Sequence, residues 1–377
     1  MTAATQTQTA LETLRGAVLP VLPQVASSPK PLQSAGTLEA YASLDLTPSI
    51  GTEFTAHDKD GLPSLSIREV LMDPKKLRDL AILVSQRGVV FFRDASITPE
   101  EQKDLVEALG QAGGKPAGHG LHVHPLTAET SEFGKEISVI SSEFAFDKKF
   151  DRAKEPVYTK RNARTEWHSD ITFEPAPSDY ASLQIREFPA QGGGDTLWAS
   201  GYELYDRLTP TYRKFLEGLT AEHRGDFFVA AAKAKGEPLR GNRGSPLNDN
   251  QDLKASHPVI RVNPVTGWKS LFVNGVFTKK VNELNDEESE NLLKFLSEHV
   301  HANFDAQVRY RWEPNNLAIW DNRSTFHAAT KDFDRESGSV RTGTRSVSIG
   351  ERPYFDSNAV SRREAIAAGQ AAGLTRS

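Results

Sequence analysis

Between Ile137 and Ile349 the chain is written mostly in short β-type runs broken by turn residues. That texture constrains the fold more than any other feature. The runs are "ISVIS", "ASLQIRE", "PVIRV", "SLFVN", "QVRYRW", "LAIW" and "RSVSI", set apart by Gly, Pro and Asn. In "ASLQIRE", Ala181, Leu183 and Ile185 alternate with polar neighbours, the period of a strand with two unlike faces. Many short strands with few helices predict a mainly β protein with flanking helices, a sandwich or jelly roll.

The helices carry clear punctuation. "PKKLRDLAILVSQRGVVFFRD" reads as an amphipathic helix followed by a buried strand over Gly88–Phe92. "ITPEEQKDLVEALG" reads as a helix with Thr98 as N-cap, Pro99 at its first position and Glu101 completing a capping box, ended by Gly110. A helical pattern over Tyr202–Leu216 is split by Pro210, and another runs over Asp286–His299 behind Asn285 and Glu288. Residues 1–43 are rich in Thr, Ala, Gln, Ser and Pro and read as a flexible arm. Residues 44–357 form the expected domain, and 224–256, poor in aliphatics, reads as a long insertion or lid. A tail at 358–377 has some helical character.

Bulk properties exclude several classes. A net charge of −5 over 377 residues gives no electrostatic reason to bind nucleic acid or an anionic membrane. There is no cysteine, so a metal here must use His, Asp, Glu or backbone oxygen. No apolar run approaches the roughly 20 residues of a membrane span. Pro20 and Pro23 interrupt the one segment resembling a signal core, so a cytoplasmic protein is expected. A homo-oligomer is left open.

One constellation carries chemistry. In "TEWHSDITF", His168 and Asp170 lie two apart on strand-like sequence, so they project from one face. Alone they fit a buried ion pair as well as a metal site. Downstream, "NNLAIWDNRSTFHAAT" presents His327 after an apolar strand and a polar turn. Two histidines and a carboxylate make a facial triad, which leaves adjacent metal positions open and suits a non-haem Fe(II) oxygenase. "SGSVRTGTRSVSIGERP" adds Arg341 and Arg345, forks matched to carboxylates or sulfonates. In "GGGDTLWAS" a glycine run lets the chain pass close to a ligand before Thr196. A zinc hydrolase using the same ligands and a non-catalytic jelly-roll binding protein are the competing classes.

Six segments together resemble the taurine dioxygenase (TauD/TfdA) family of Fe(II)- and 2-oxoglutarate-dependent dioxygenases, on the side of its fungal sulfonate dioxygenases. They are "LHVHP", "WHSDITFEPAPS", "GGDTLWAS", "HPVIRVNPVTGWKSLFVN", "QVRYRWEPNNLAIWDNRSTFHAA" and "RTGTRSVSIGERPYF". The resemblance implies a double-stranded β-helix, the jelly roll. It implies that His168, Asp170 and His327 hold Fe(II), with 2-oxoglutarate and O2 as cosubstrates. It assigns Arg341 and Thr196 to the far carboxylate of 2-oxoglutarate. It assigns Arg345 and His124 to the anionic group of a small substrate, with the Ile171 N–H a further candidate donor.

Phe228 and Phe277 are candidates to line the substrate pocket, with core packing an equal alternative. His119 and His122 are read as outside the ligand set, and Trp198, Trp312 and Trp320 as core. The family's taurine-specific members carry a tyrosine and an asparagine where this chain has Thr127 and Arg164. A cation at Arg164 would repel the taurine ammonium, so the implied substrate is a sulfonate or carboxylate without a primary amine.

Overall fold

The computed structural model describes residues 29–127, 133–142, 166–333 and 340–370. A seven-stranded sheet dominates them. Its strands are β1 (Ser43–Asp45), β2 (Thr52–Phe54), β3 (Val89–Phe92), β4 (Ile137–Ser141), β5 (Ser178–Glu187), β13 (Leu317–Asp321) and β15 (Thr342–Ile349). They lie in the order β1-β2-β3-β13-β5-β15-β4, antiparallel except for β2 beside β3. Facing it is a three-stranded sheet, β12 (Gln307–Tyr310), β6 (Thr196–Ser200) and β14 (Thr325–Ala329), with β6 central. The remaining strands are β7 (Thr220–Arg224), β8 (Lys254–Pro258), β9 (Ile260–Val262), β10 (Lys269–Leu271) and β11 (Thr278–Val281). They form the small sheets β11-β7-β8 and β10-β9. The architecture is the expected jelly roll with helices outside it.

Period-two alternation decides which side chains meet between the two large sheets. Val89 and Phe91 of β3, Ala181, Leu183 and Ile185 of β5, and Ala318 and Trp320 of β13 point inward. There Phe91 stacks on Tyr310 at 3.9 Å and meets Trp198 edge-on at 5.3 Å, closing the sandwich. Val90, Phe92, Leu317 and Ile319 point the other way, into a layer formed by helices α2 (Pro74–Arg87) and α3 (Pro99–Ala112), which follow α1 (Ile67–Met72). The polar residues of the β5 alternation are therefore not solvated. Ser182 and Gln184 are fully buried under α3, whose Gln102 Nε2 donates to Ser182 Oγ at 3.0 Å.

Three expectations need correction. Gly110 does not end α3, which runs on to Ala112. A Cβ at Gly110 would lie 2.3 Å from Ser348 Oγ, so this glycine admits β15 rather than stopping the helix. Residues 1–28 of the expected arm lie outside the described residues, and its later part, up to residue 43, docks on the domain. Asp79 accepts from the backbone N–H groups of Ala35 and Thr37, and Leu38, Tyr41 and Ala42 are buried. The 224–256 segment is not one long loop. It carries α6 (Asp226–Lys235), which an alanine run favours and which Gly236 closes in the left-handed conformation. The split helix appears as α4 (Gly201–Asp206) and α5 (Pro210–Leu216), and the late helix as α7 (Asp286–Ala302) with its Asn285–Glu288 capping box. A short α8 (Arg362–Ala367) follows the last strand. No helix among the described residues is long and apolar enough to cross a membrane.

Candidate metal and cosubstrate site

The main chain brings His168 and His327 together. They form an isolated antiparallel bridge, His168 N–H donating to the His327 carbonyl at 3.0 Å and the reverse bond spanning 2.8 Å. His327 sits mid-strand in β14, opposite Trp198 of β6. Asp170, two residues past His168, has its N–H fixed by Asn322 Oδ1 at 2.9 Å. Asn322 also accepts from Trp320 Nε1 and donates to Ser178 Oγ, so its amide is fully engaged.

The ligand atoms converge. His168 Nε2 lies 3.9 Å from Asp170 Oδ1, and His327 Nε2 lies 3.9 Å from Asp170 Oδ2. The three ligand atoms all fall within 4.8 Å of one another. His168 Nδ1 donates to the Glu166 carbonyl at 2.7 Å, which leaves its Nε2 as a lone-pair donor. Asp170 Oδ2 is buried with no hydrogen-bond partner among the described residues. Burial, with His168 adding to it, pushes the His327 imidazole down to about 3, so it is neutral, as metal binding requires. Burial works against the Asp170 carboxylate, but Arg345, His327 and His168 hold its pKa at about 2. Two imidazole nitrogens with one carboxylate oxygen fit Fe(II).

Beside this cluster lies a second site. Arg341 is buried, its Nε donating to the Gly194 carbonyl at 2.6 Å and its Nη2 to Thr196 Oγ1 at 3.1 Å. Burial lowers the guanidinium to about 10, still charged at neutral pH. The glycine run lets the chain pass close to this arginine. Gly194 adopts φ +69°, and a Cβ there would lie 2.9 Å from Arg341 Cδ. Gly193, at φ +86°, would meet the Asp332 carbonyl at 2.6 Å. Ser200, not Thr196, caps α4. Trp312, read as core, donates its indole N–H to Thr196 Oγ1 at 3.0 Å and so orients the hydroxyl.

A third group completes the cavity wall. Arg345 Nη1 donates to Asp170 Oδ1 at 2.6 Å, while its buried Nε has no partner among the described residues. His124 Nδ1 accepts from Leu126 N–H at 3.2 Å, which leaves the imidazole proton on Nε2. Burial and Arg345 push His124 down to about 4. Phe228 meets the His124 ring edge-on at 5.1 Å, Phe277 meets His168 at 5.9 Å, and Phe173 touches both phenylalanines. The two candidate phenylalanines therefore span the gap between His124 and the metal ligands. Ile171 holds φ +50°, a strained value for a β-branched residue. Arg164 lies outside the described residues.

Sequence reasoning missed Asn322, Trp312 and the Glu166 carbonyl. Asn322 stands inside the quoted "DNRST" turn, but nothing in that string says its amide would face Asp170.

Comparison with known proteins fits this geometry. Residues 42–346 match the family described as "Taurine catabolism dioxygenase TauD, TfdA family". An alpha-ketoglutarate-dependent dioxygenase of Aspergillus oryzae, oryG, is 43% identical over 345 residues, covering 90% of this chain and 97% of its own. One from Neocamarosporium betae, btcD, is 43% identical over 351 residues, covering 89% and 98%. An alpha-ketoglutarate-dependent sulfonate dioxygenase of Saccharomyces cerevisiae is 32% identical over 316 residues, covering 82% and 67%. The crystal structure of a taurine dioxygenase from Burkholderia xenovorans superposes with a TM-score of 0.60 at 26% identity, over 83% of this chain and 92% of the other. A match across four fifths of the sequence, on a fold that brings two histidines and an aspartate together beside a buried arginine, has one reading: the chain belongs to the TauD/TfdA family and is an alpha-ketoglutarate-dependent dioxygenase, an oxidoreductase working with Fe(II), 2-oxoglutarate and O2.

Proposed function

We propose that the enzyme oxidises a C–H bond of a small organic anion, and that the anion is an organosulfonate without a primary amine. In that reaction one O2 and one 2-oxoglutarate are consumed and succinate and CO2 leave. The hydroxylated carbon next to sulfur then collapses to an aldehyde and sulfite. Iron held by His168, Asp170 and His327 supplies the oxygen activation. Arg341, with the Thr196 hydroxyl oriented by Trp312, binds the far carboxylate of 2-oxoglutarate. Arg345 and the Nε2–H of His124 bind the substrate's anionic group, and Phe228 and Phe277 shield its carbon chain from water.

The observation that carries the reading is the pairing of a charged donor with a neutral one at the metal's side. Arg345 reaches Asp170 and keeps a buried Nε unbonded among the described residues, and His124 has its proton directed to Nε2 by Leu126. Both are donors, and an anion is what two converging donors recognise. The sulfonate class is supported by the name of the S. cerevisiae relative. The two 43% identical relatives are alpha-ketoglutarate-dependent dioxygenases, and a carboxylate or amino acid oxidised by the same chemistry is the second reading.

The test is a panel of alkanesulfonates and matched carboxylates incubated with the Fe(II) enzyme, 2-oxoglutarate and O2, with succinate and sulfite measured. Sulfite equal to succinate supports the sulfonate. Succinate raised by a carboxylate, with no sulfite from any sulfonate, overturns it in favour of the second reading.

A further inference from the structure

The segment following α6 reaches both halves of the site through one buried arginine. Arg243 and Glu174 are each fully buried. The guanidinium grips the carboxylate two-handed, Nε on Oε1 and Nη2 on Oε2. Its other bonds go to the Arg240 carbonyl and to the Asn250 carbonyl and side chain, so its own loop closes around it. Glu174 is not a remote residue. Its N–H donates to the Ile171 carbonyl at 3.0 Å and closes the turn that begins at Asp170. That turn contains the strained Ile171, and strain of this kind persists only where the surroundings hold it. Two residues on, Asn248 and Ala176 exchange a reciprocal pair of bonds, 3.0 Å and 2.8 Å.

The same loop also holds the segment around His124 on the other side. Arg240 N–H donates to the Pro125 carbonyl at 3.1 Å and its Nε to the Thr127 carbonyl at 2.8 Å. Gly120 N–H donates to the Gly244 carbonyl at 2.8 Å, and a Cβ at Gly244 would lie 2.3 Å from the Leu121 carbonyl. The loop is therefore a strut, with Glu174 and Ala176 at one end and residues 120–127 at the other.

We propose that Arg243 is a positioning residue: through Glu174 at one end and its loop's contacts with residues 120–127 at the other, it fixes the spacing between the metal ligands and His124, and so sets how tightly 2-oxoglutarate consumption is coupled to substrate oxidation. This rests on the reading of His124 as a substrate donor. A substrate carbon displaced by an ångström leaves the reactive position while 2-oxoglutarate still binds, because Arg341 and Thr196 lie outside the strut.

The test uses the full-length Fe(II) enzyme, R243K, and the double variant E174M/R243M. Removing both charges together avoids a stranded buried ion, and a thermal melt checks that the double variant folds. Amide hydrogen exchange is the arm that needs no substrate. Protection is expected to fall together in 119–126 and 168–176 and to hold in 342–349. The kinetic arm uses the panel compound that the wild type turns over best. Its kcat/KM is expected to fall on the order of ten- to a hundred-fold, with succinate exceeding oxidised product, while the 2-oxoglutarate KM stays the same. R243K recovers coupling in part, because an ammonium keeps the charge but not the fork. Unchanged protection and coupling in the double variant would overturn the proposal, as would equal loss of 2-oxoglutarate binding, which marks a merely structural pair. If the wild type oxidises no panel compound, the substrate reading fails and the exchange arm alone decides the positioning role.

Discussion

His168 and His327 exchange backbone hydrogen bonds in both directions, so the placement of the two imidazoles belongs to the main chain and not to their side chains. Replacing either side chain leaves that bridge intact. His168→Ala is expected to fold with an unchanged melting temperature in the absence of metal, to lose tight Fe(II) binding, and to lose 2-oxoglutarate turnover. Calorimetric metal titration and succinate release check this, and full activity in the variant removes the metal assignment.

Asn322 offers a subtler test of the same centre. Its Oδ1 takes the N–H of Asp170 and the indole of Trp320. Asn322→Ala strands both donors in the interior and frees the Asp170 backbone. Partners of this kind typically contribute 10–100-fold to metal affinity, so a loss of about that size is expected. Metal affinity equal to wild type would show that Asp170 needs no such support.

The cosubstrate clamp predicts an effect from a single methyl group. Gly194→Ala places a Cβ against Arg341 at a left-handed backbone position, so the guanidinium must shift. Both Gly194→Ala and Arg341→Ala are expected to raise the 2-oxoglutarate KM steeply, the latter by roughly 2–5 kcal/mol of lost binding. Trp312→Phe removes the bond to Thr196 along with part of the ring packed on Trp198 and Tyr310, and the lost bond is expected to cost about 0.5–1.5 kcal/mol of 2-oxoglutarate binding. Steady-state kinetics varying 2-oxoglutarate alone separates the three. An unchanged KM in Gly194→Ala would sink the clamp.

Acid sensitivity follows from buried imidazoles. Burial pushes His257 and His327 from their ordinary 6.5 to about 3. The unfolded chain takes up protons there first, so their contribution to stability is complete above pH 6.5 and is lost as pH falls toward 3. Asp179 has the opposite sign. Burial raises its carboxyl from 3.8 to about 6, so its contribution is present below 3.8 and lost as pH rises through 6. With His124 also depressed, the histidines dominate. The metal-free melting temperature is expected to fall as pH drops below 6.5. His257→Gln, whose amide can still donate to the Thr172 and Glu174 carbonyls, is expected to flatten that slope. A pH-independent melting temperature between 7 and 4 would contradict this account.

Taurine is expected to be a poor substrate. Thr127 and Arg164 stand where taurine-specific members carry a phenol and an amide, in that order. An equimolar competition of taurine with an amine-free alkanesulfonate, read by sulfite and aldehyde products, decides it. Preferential oxidation of taurine would refute the argument.

The parts of this molecule legible in the sequence are those where one residue type has one physical use at one spacing. The alternation of Ala181, Leu183 and Ile185 places β5, and the Thr98–Glu101 capping box starts α3. The His-x-Asp pair and the distant His327 read as a metal set once the family resemblance stands beside their ligand chemistry. Gly110 misled because a glycine that ends a helix and one that admits a neighbouring strand look alike until the neighbour is in place. Gly193 and Gly194 were legible as a close approach, but that Arg341 and Asp332 are what they approach is visible only in the fold. Trp312 and Asn322 were hidden for another reason. Their importance lies in a polar atom meeting a partner over a hundred residues away, and local pattern carries no trace of such a meeting.

The corner between β13 and β14 carries a constraint of length. The chain leaves the seven-stranded sheet at Asp321 and enters the three-stranded sheet at Thr325, with Arg323 folded back onto Asp321 and Asp321 also held by Ser85 and Asn263. His327 faces the metal cluster while Phe326 and Ala328 face a separate apolar core. One residue added to that corner would turn every side chain of β14 to the opposite face, carrying Phe326 into the place of the ligand. An insertion of two restores the facing but moves His327 roughly 7 Å along the strand, away from His168, and leaves Thr325 in its place. A relative that binds iron through the same three residues should therefore keep this corner at its present length.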